Sequence, residues 1–260
     1  GDRSHSINVS TMAAIVVAGA GVPVCKHGAR AASSQCGTAD VLEALGVAVE
    51  LSPQGVLRCV QEAGIGFCLA PRYHPAFRFA APSRREIGIP TVFNLLGPMA
   101  NPGRVRRQLI GVANPGVAER MLASLRLHGS HRAWVVHGNG LDELSTTGPS
   151  SVLALEDDSV RQFTVDPMDL GLAPAILDEL VGGTPDVNAA VVHRVMGGAH
   201  GAHRNIVVLN AAAALVVAGA AASLEEGLAR AAEAIDSGAA AATLARFVEV
   251  SQAAAAEFGH

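Results

Sequence analysis

The chain has 260 residues, of which half are apolar and only 3% are aromatic, and its net charge is −4. This length is ample for one substantial hydrophobic core and marginal for two ordinary domains. Basic residues are spread thinly and few aromatic rings are available for base stacking, so we expect no nucleic-acid partner. The apolar runs, such as 211–222, are rich in alanine and too short for a membrane span, so we expect no membrane partner.

The cysteines point to a reducing compartment. They are Cys25, Cys36, Cys59 and Cys68, and none of them forms a C-x-x-C pair. No apolar signal segment precedes the first predicted strand. We therefore expect a reduced protein of the cytoplasm.

Helices and strands alternate in the first part of the chain. Predicted helices cover 11–20, 39–45, 53–64 and 74–87, and predicted strands cover 22–25 and 67–70. Ser52 is a suitable N-cap for the third helix, with Pro53 at its first position. The order of strand, turn and helix is typical of an α/β protein.

The second part begins with a Pro-, Asn- and Gly-rich junction over 91–103. Predicted strands follow at 108–112, 133–137, 151–155 and 160–165, with a helix at 117–127. The last two strands form an antiparallel pair around Asp157 and Asp158, and the chain is mainly helical after Asp166. The fold class predicted is α/β, a mixed sheet flanked by helices, with a small helical excursion over about 74–98.

The turn after the first predicted strand combines cations, small residues and hydroxyls just before a helix. It has the sequence KHGARAASS over 26–34. Glycine lets the backbone approach a ligand, amides and hydroxyls donate to phosphate oxygens, and the helix N-terminus adds a favourable dipole. Lys26 and Arg30 supply the countercharge. The alternative is a Gly/Ser turn that only links strand to helix.

Two adjacent carboxylates, Asp142 and Glu143, follow a predicted strand and a Gly-Asn-Gly turn. Neighbouring carboxylates attract cations, and ligands of α/β proteins collect at the carboxyl ends of strands. The alternative is a solvated acidic turn. The pair Asp157 and Asp158 lacks this context and is interpreted as a hairpin tip.

A third cluster lies in the predicted helix 74–87. His74 and Arg84 are ten residues apart, about three helical turns, so one helix face can present both to a pocket. The guanidinium of Arg84 suits a carboxylate ligand. Arg78 competes for this role, and the alternative is a solvated arginine in the Arg84-Arg85 pair.

In their order and separation these segments resemble the anthranilate phosphoribosyltransferase family, essentially from end to end. The resemblance is carried by GDRSHSINVST (1–11), KHGARAASS (26–34), GTADVLE (37–43), YHP (73–75), RREIG (84–88), FNLLGPMANP (93–102), VVHGNGLDEL (135–144), NAAAA (210–214, as a helix start) and AIDSG (234–238). It implies the large-domain fold shared by nucleoside phosphorylases and these transferases. The implied domains are a large one over 1–73 and 99–260, with 74–98 belonging to a small helical domain.

The resemblance also implies the reaction. Anthranilate displaces pyrophosphate from phosphoribosyl pyrophosphate (PRPP) in tryptophan biosynthesis, with two Mg²⁺ ions and a homodimer expected. An aromatic amine already has a free lone pair, so no strong general base is required, and Lys26 is expected to act electrostatically.

The residues implied to contact PRPP are Gly1, Asp2, Ser6, Asn8, Val9, Ser10, Thr11, Lys26, His27, Gly28, Ala29, Arg30, Ala31, Ala32, Ser33, Ser34 and Thr38. Those implied to contact anthranilate are Gly1, Ala29, His74 and Arg84. Those implied to bind metal are Ser10, Asp142 and Glu143.

The chain departs from the family pattern at several positions. Ala29 stands where the family usually has an asparagine that contacts anthranilate, which puts the acceptor in question. Arg3 replaces a glycine and Ser6 replaces a threonine. The chain also starts inside the family's glycine-rich phosphate loop, so we expect it to lack the N-terminal helical segment of the family.

Two other functions are considered. A pyrimidine nucleoside phosphorylase-like enzyme shares the fold, but the Asp142-Glu143 pair disfavours it, because phosphorolysis needs no metal-bound pyrophosphate. A non-catalytic nucleic-acid-binding relative is disfavoured by the acidic net charge and the low aromatic content.

Overall fold

The strands form two sheets in a computed structural model that describes residues 6–31, 35–77, 79, 86 and 92–258. A two-stranded parallel sheet pairs β1 (Val24–Gly28) with β2 (Ile65–Leu69). The second sheet has the order β3-β4-β5-β6, comprising Arg107–Gly111, Arg132–Gly138, Ser150–Glu156 and Ser159–Val165. Strands β3 and β4 are parallel, whereas the β4-β5 and β5-β6 pairs are antiparallel. The predicted α/β class with a mixed sheet is confirmed.

Helices surround both sheets. They are α1 (Val9–Gly19), α2 (Thr38–Ala44), α3 (Pro53–Ala63), α4 (Ala70–Tyr73), α5 (Val92–Met99), α6 (Ala118–Leu127), α7 (Pro185–Met196), α8 (Ala202–Ala218), α9 (Leu224–Asp236) and α10 (Ala239–Phe258). Short 3₁₀ turns lie at Pro115–Val117 and Leu177–Leu180. Of the helices in these residues, none has both the length and the apolarity needed to cross a bilayer.

Helix α8 is the central support of the fold. Its Leu209 and Ala213 pack with Trp134 of β4, whereas its Ile206 belongs to the main core together with Ile15 of α1. A helix that is apolar on all sides must be buried on all sides. The expectation that the alanine-rich run near 211–222 is buried helix holds as far as Ala218, where α8 ends.

Local signals placed several element ends correctly. The Ser52 hydroxyl accepts a hydrogen bond from the Gly55 N–H at 3.2 Å, with Pro53 at the first helical position of α3. Gly64 ends that helix at a φ of 75°, a left-handed conformation that suits glycine. The β5-β6 hairpin turns at Asp157, as predicted, with a φ of 52°.

Other expectations about the elements were wrong. The junction predicted over 91–103 contains helix α5, with Pro98 inside the helix one residue before its end. Strand β1 extends through Gly28, so it includes the first part of the predicted phosphate turn. His74 follows the end of α4 instead of opening a helix. Asn210 lies in the middle of α8, not at its start.

Two glycines let the loop after β4 lie directly on the sheet. A Cβ on Gly111, at the end of β3, would overlap the Asp142 carbonyl oxygen. A Cβ on Gly138, at the end of β4, would overlap the Glu143 carbonyl oxygen. The absence of a side chain at these positions therefore sets how closely the acidic segment approaches the strands.

Replacing Gly111 by alanine should displace this segment. The new methyl group overlaps the backbone of Asp142, so we expect Gly111→Ala to lower the free energy of unfolding by about 2 kcal/mol. Gly97→Ala is the matched control, because a Cβ there meets no atom of the described residues within 4 Å. Urea unfolding of the two variants measures the difference, and equal stabilities would contradict the prediction.

Candidate active site

The acidic segment follows a tight turn at the end of β4. Asn139 and Gly140 both have positive φ, 49° and 93°, and the backbones of Gly138 and Leu141 exchange hydrogen bonds of 3.0 and 2.9 Å. This is the geometry that Asn-Gly favours. Leu141 and Leu144 are buried on either side of Asp142 and Glu143, which are half-buried. The two carboxylates are thus held between two apolar anchors.

A buried amide fixes the far end of this segment. Asn210 of α8 accepts a hydrogen bond from the Leu144 N–H at 3.0 Å and donates to the Leu144 carbonyl at 2.8 Å. It also donates to the Ile206 carbonyl at 2.8 Å. No sequence pattern had predicted this role. The available signal was Asn210 as the single polar residue in the apolar run 206–217 of α8, since a buried polar group requires a partner.

Lys26 connects the phosphate turn with the acidic segment. Its Nζ donates to the Ser10 Oγ at 3.1 Å. Desolvation lowers the pKa of Lys26, and the carboxylate of Glu143 acts in the opposite direction. The structure therefore brings together three predicted site residues from α1, β1 and the loop after β4. Ser10 uses its hydroxyl oxygen toward an ammonium here, and its role as a metal ligand stays a prediction.

The turn after β1 is closed by a carboxylate. Asp40 of α2 accepts hydrogen bonds from the N–H groups of Ala31 at 2.8 Å and Gly37 at 2.7 Å. Gly37 is pressed against the turn, because a Cβ there would overlap the Ala31 nitrogen. The Ala29 carbonyl accepts from Ala39 N–H at 3.2 Å. Asp40 was not predicted as a site residue. Its carboxylate accepts the hydrogen bond of the Ala31 N–H, a group that was expected to donate to phosphate.

Arg30 differs from Lys26 in its surroundings. Its guanidinium lies 2.6 Å from a carboxylate oxygen of Glu43 and 2.8 Å from one of Glu50, at the surface. These carboxylates, Glu43 first, hold the pKa of Arg30 above its usual range. Of the two cations expected to face phosphate, Arg30 is already balanced by two acids.

The side chain of Asn8, just before α1, links three segments of the chain by hydrogen bonds. Its Oδ1 accepts from Asn188 Nδ2 at 2.8 Å and from the Cys36 thiol at 3.4 Å. Asn188 in turn accepts from the Gly183 N–H at 2.8 Å. The amide of Asn8 thereby joins the start of α1 to α7 and to the segment before α2.

Several other predicted PRPP residues lie in packed positions. Val9 and Thr11 are each only 2% exposed, so neither residue presents its side chain at the surface. Ser6 pairs with Val181 in an isolated bridge. Thr38 opens α2 against Gly28 of β1, where a Cβ would lie 3.1 Å from the Thr38 Cβ. Outside the described residues lie the predicted PRPP contacts Gly1, Asp2, Ala32, Ser33 and Ser34, as well as Arg84, which was predicted to contact anthranilate.

The two predicted histidines meet beside the turn. The rings of His27 and His74 are edge to face with centroids 5.1 Å apart, and His74 stacks on Phe77 at 5.2 Å. His74 Nε2 hydrogen-bonds the Ala100 carbonyl at 2.8 Å. Burial, with a smaller effect of His74, lowers the pKa of His27 to about 4. His27 is therefore neutral near pH 7 and adds no positive charge for phosphate.

The donor set for a divalent cation consists of oxygen atoms. Among the described residues, no group of three or more His, Cys, Asp or Glu side chains is arranged to hold a metal ion. Mg²⁺ seldom needs such a cage, because it binds one or two carboxylates and takes its other ligands from water and phosphate. Asp142 and Glu143, held next to Lys26, fit this mode.

Comparison with known proteins agrees with the geometry. Residues 1–241 match the family model described as "Glycosyl transferase family, a/b domain". Over 254 residues the chain is 56% identical to the anthranilate phosphoribosyltransferase of Methylorubrum extorquens, covering 97% of this chain and 75% of that protein.

Solved structures give the same result. The crystal structure of anthranilate phosphoribosyltransferase from Thermus thermophilus superposes with a TM-score of 0.92 at 42% identity, covering 97% of this chain and 75% of that one. The enzyme of Saccharomyces cerevisiae in complex with PRPP and Mg gives a TM-score of 0.88 at 29% identity, covering 97% and 72%. The same yeast protein has been solved with 4-fluoroanthranilate.

Removing the Asn210 amide should loosen the acidic segment. Asn210→Leu leaves the N–H and carbonyl of Leu144 buried without a partner, so we expect a loss of about 1–3 kcal/mol in the free energy of unfolding and faster hydrogen exchange at Leu144. Asn205→Leu is the control on the same helix, because no described residue hydrogen-bonds the Asn205 side chain. Equal exchange at Leu144 in both variants would refute the role of Asn210.

The low pKa of His27 should make stability depend on pH. The unfolded chain takes up a proton near pH 6.5 and the folded chain only near pH 4, so stability is lost as pH falls through this window. Allowing for partial solvent exposure, we expect a loss of about 2 kcal/mol. Urea unfolding between pH 7.5 and 4 should show a flatter profile for His27→Gln than for the exposed control His128→Gln. Superimposable profiles would argue against a buried neutral His27.

Proposed function

Because this chain belongs to the anthranilate phosphoribosyltransferase family, we propose that it joins anthranilate to PRPP and releases pyrophosphate, a step of tryptophan biosynthesis. One observation carries the proposal. Lys26 at the phosphate turn donates to Ser10 and shares electrostatic interaction with Glu143 of the acidic segment. A cation for the phosphates and carboxylates for a divalent ion therefore serve one site, as transfer from a diphosphate donor requires.

The chemistry is a displacement at C1 of the ribose. The nitrogen lone pair of anthranilate forms the new bond as the bond from C1 to the pyrophosphate oxygen breaks, and the nitrogen then loses a proton to solvent. Lys26 is suited to hold donor oxygens by charge and position. His27, neutral at pH 7, is suited to line the site and not to act as a cation. No side-chain base is needed, since the amine is already unprotonated.

Asp142 and Glu143 are the residues that would hold Mg²⁺, and Ser10 is proposed for a second ion. When bound, Mg²⁺ neutralises charge on the departing pyrophosphate. The yeast relative solved with PRPP and Mg supports use of this metal, and two ions in this chain are part of the proposal. Asn210 and Gly111 contribute by holding the two carboxylates in place.

The acceptor is proposed to bind on the side of the turn formed by Ala29 and His74, with Arg84 and Gly1 contributing. The yeast relative solved with 4-fluoroanthranilate supports an acceptor of this class. Ala29 is exposed at the turn and has no polar side-chain atom, so it offers the acceptor only its backbone and methyl group. The carboxylate of anthranilate would then depend mainly on Arg84.

The other candidate functions have weaker support. The close relatives are transferases, which favours transfer from PRPP over phosphorolysis or nucleic-acid binding. We also propose that 1–73 and 99–260 form the large domain, that 74–98 belongs to the small one, and that the functional form is a cytoplasmic homodimer.

The acidic pair provides the direct test of the function. Asp142→Asn combined with Glu143→Gln should abolish Mg²⁺-dependent binding of PRPP, because both hard anionic ligands are lost. Stability should fall only modestly, because the two acids are half-buried loop residues, although Glu143 offsets part of the desolvation of Lys26. Calorimetric titration with and without Mg²⁺ measures the effect. Asp157→Asn with Asp158→Asn is the control at the hairpin tip. Unchanged Mg²⁺-dependent affinity in the Asp142/Glu143 variant would refute the assignment.

A further inference from the structure

Two arginines face each other at the end of the four-stranded sheet that lies opposite the active site. The acidic segment follows the carboxyl end of β4, whereas Arg107 and Arg132 begin β3 and β4 at the other end. The parallel register places these two residues directly opposite each other. Like charges on adjacent strands repel, so this pairing is unfavourable unless negative charge lies between them.

Both arginines reach one point near the end of α8. The Nη1 atoms of Arg132 and Arg107 lie 3.3 and 3.8 Å from the place where a Cβ on Gly219 would be. Arg107 donates to the Ala218 carbonyl at 2.5 Å. Within the part of the chain that the structure describes, half-buried Arg132 has no hydrogen bond or salt bridge from its side chain, and only a through-space interaction with Glu156.

A cavity of about 450 Å³ opens beside Arg132. Its lining residues are Arg132, Glu156, Arg161, Val216, Gly219, Ala220, Ala221, Ala222 and Glu226. Glu156 is bound by both Nη2 and Nε of Arg161 at 2.9 and 3.3 Å, which lowers its pKa. Glu226 accepts from the Ala222 N–H at 2.8 Å. Both acids of the cavity therefore accept hydrogen bonds within the protein, whereas the guanidinium of Arg132 makes none with the described residues.

We propose that this cavity binds a small oxyanion, the phosphate or carboxylate group of a metabolite, on Arg132 with help from Arg107. A planar guanidinium presents paired N–H donors that match either group. The size of the cavity falls within the range of small-molecule sites. The opposing possibility is that Arg132 only offsets the negative end of the α8 dipole.

The chain contains its own probe for this site. Trp134 is the only tryptophan and lies two residues after Arg132 on β4, so both point to the same face of the sheet. Its ring contacts Phe163 edge to face at 5.2 Å, and the Arg161 guanidinium lies 4.4 Å above the Phe163 ring. Anion binding beside Arg132 and Arg161 should therefore change the emission of Trp134.

The experiment is a fluorescence titration of the whole chain with inorganic phosphate, and separately with succinate, with ionic strength held constant by chloride. We expect a saturable change in Trp134 emission with at least one anion, and Arg132→Gln should weaken apparent affinity by about tenfold or more. Arg126→Gln is the matched control, because Arg126 is exposed and pairs with Asp158 across 3.4 Å. Saturation with phosphate alone identifies a phosphate group, and with succinate a carboxylate.

Lys26→Gln separates this site from the active site, and it should leave the Trp134 response intact. A response that Lys26→Gln removes, or that Arg132→Gln leaves unchanged, would overturn the proposal, as would a response no larger than that to chloride. Far-UV circular dichroism shows whether each variant folds. If Arg132→Gln does not fold, Arg132→Lys takes its place, and an affinity equal to wild type would then overturn the proposal.

Discussion

The buried amide of Asn210 is the interaction on which the arrangement of the site depends. Two of its hydrogen bonds join the middle of α8 to Leu144, immediately after the two carboxylates, and a third stays within the helix, to the Ile206 carbonyl. Because α8 also packs on α1 and β4, the helix that fills the core also positions the acidic segment. Stability and the geometry of the site are therefore coupled through one side chain.

Local hydrogen bonds and tight turns fix the short segments that carry the site residues. Asp40 holds the turn after β1 with two amides, and the Asn139-Gly140 turn holds the segment after β4. Gly111 and Gly138 then let that segment lie against the strands. In these described segments the polar side chains are positioned by backbone constraints, which lowers the ordering cost of binding there.

Local patterns predicted much of this chain, and contacts between distant segments account for what they missed. Ser52 and Gly64 marked the ends of α3 because caps act over a few residues. The strand and the turn that precede Asp142 and Glu143 were predicted from the local sequence, and the metal role of this pair stays a proposal. Asn210 was missed because its partner, Leu144, is 66 residues away. The pairing of Arg30 with Glu50 was likewise invisible in the sequence, since it depends on how the loop after α2 returns to the turn.

The length of α8 separates the charges at the two ends of the sheet. Asn210 and Ala218 are eight residues apart, which corresponds to about 12 Å along the helix axis. This distance exceeds the Debye length of about 8 Å at physiological ionic strength. Charges at the end of the sheet that carries Arg132 and charges in the acidic segment are thus screened from each other where they face solvent. A change of charge at one end of the sheet is therefore expected to have only a weakened effect on the electrostatic potential at the other end.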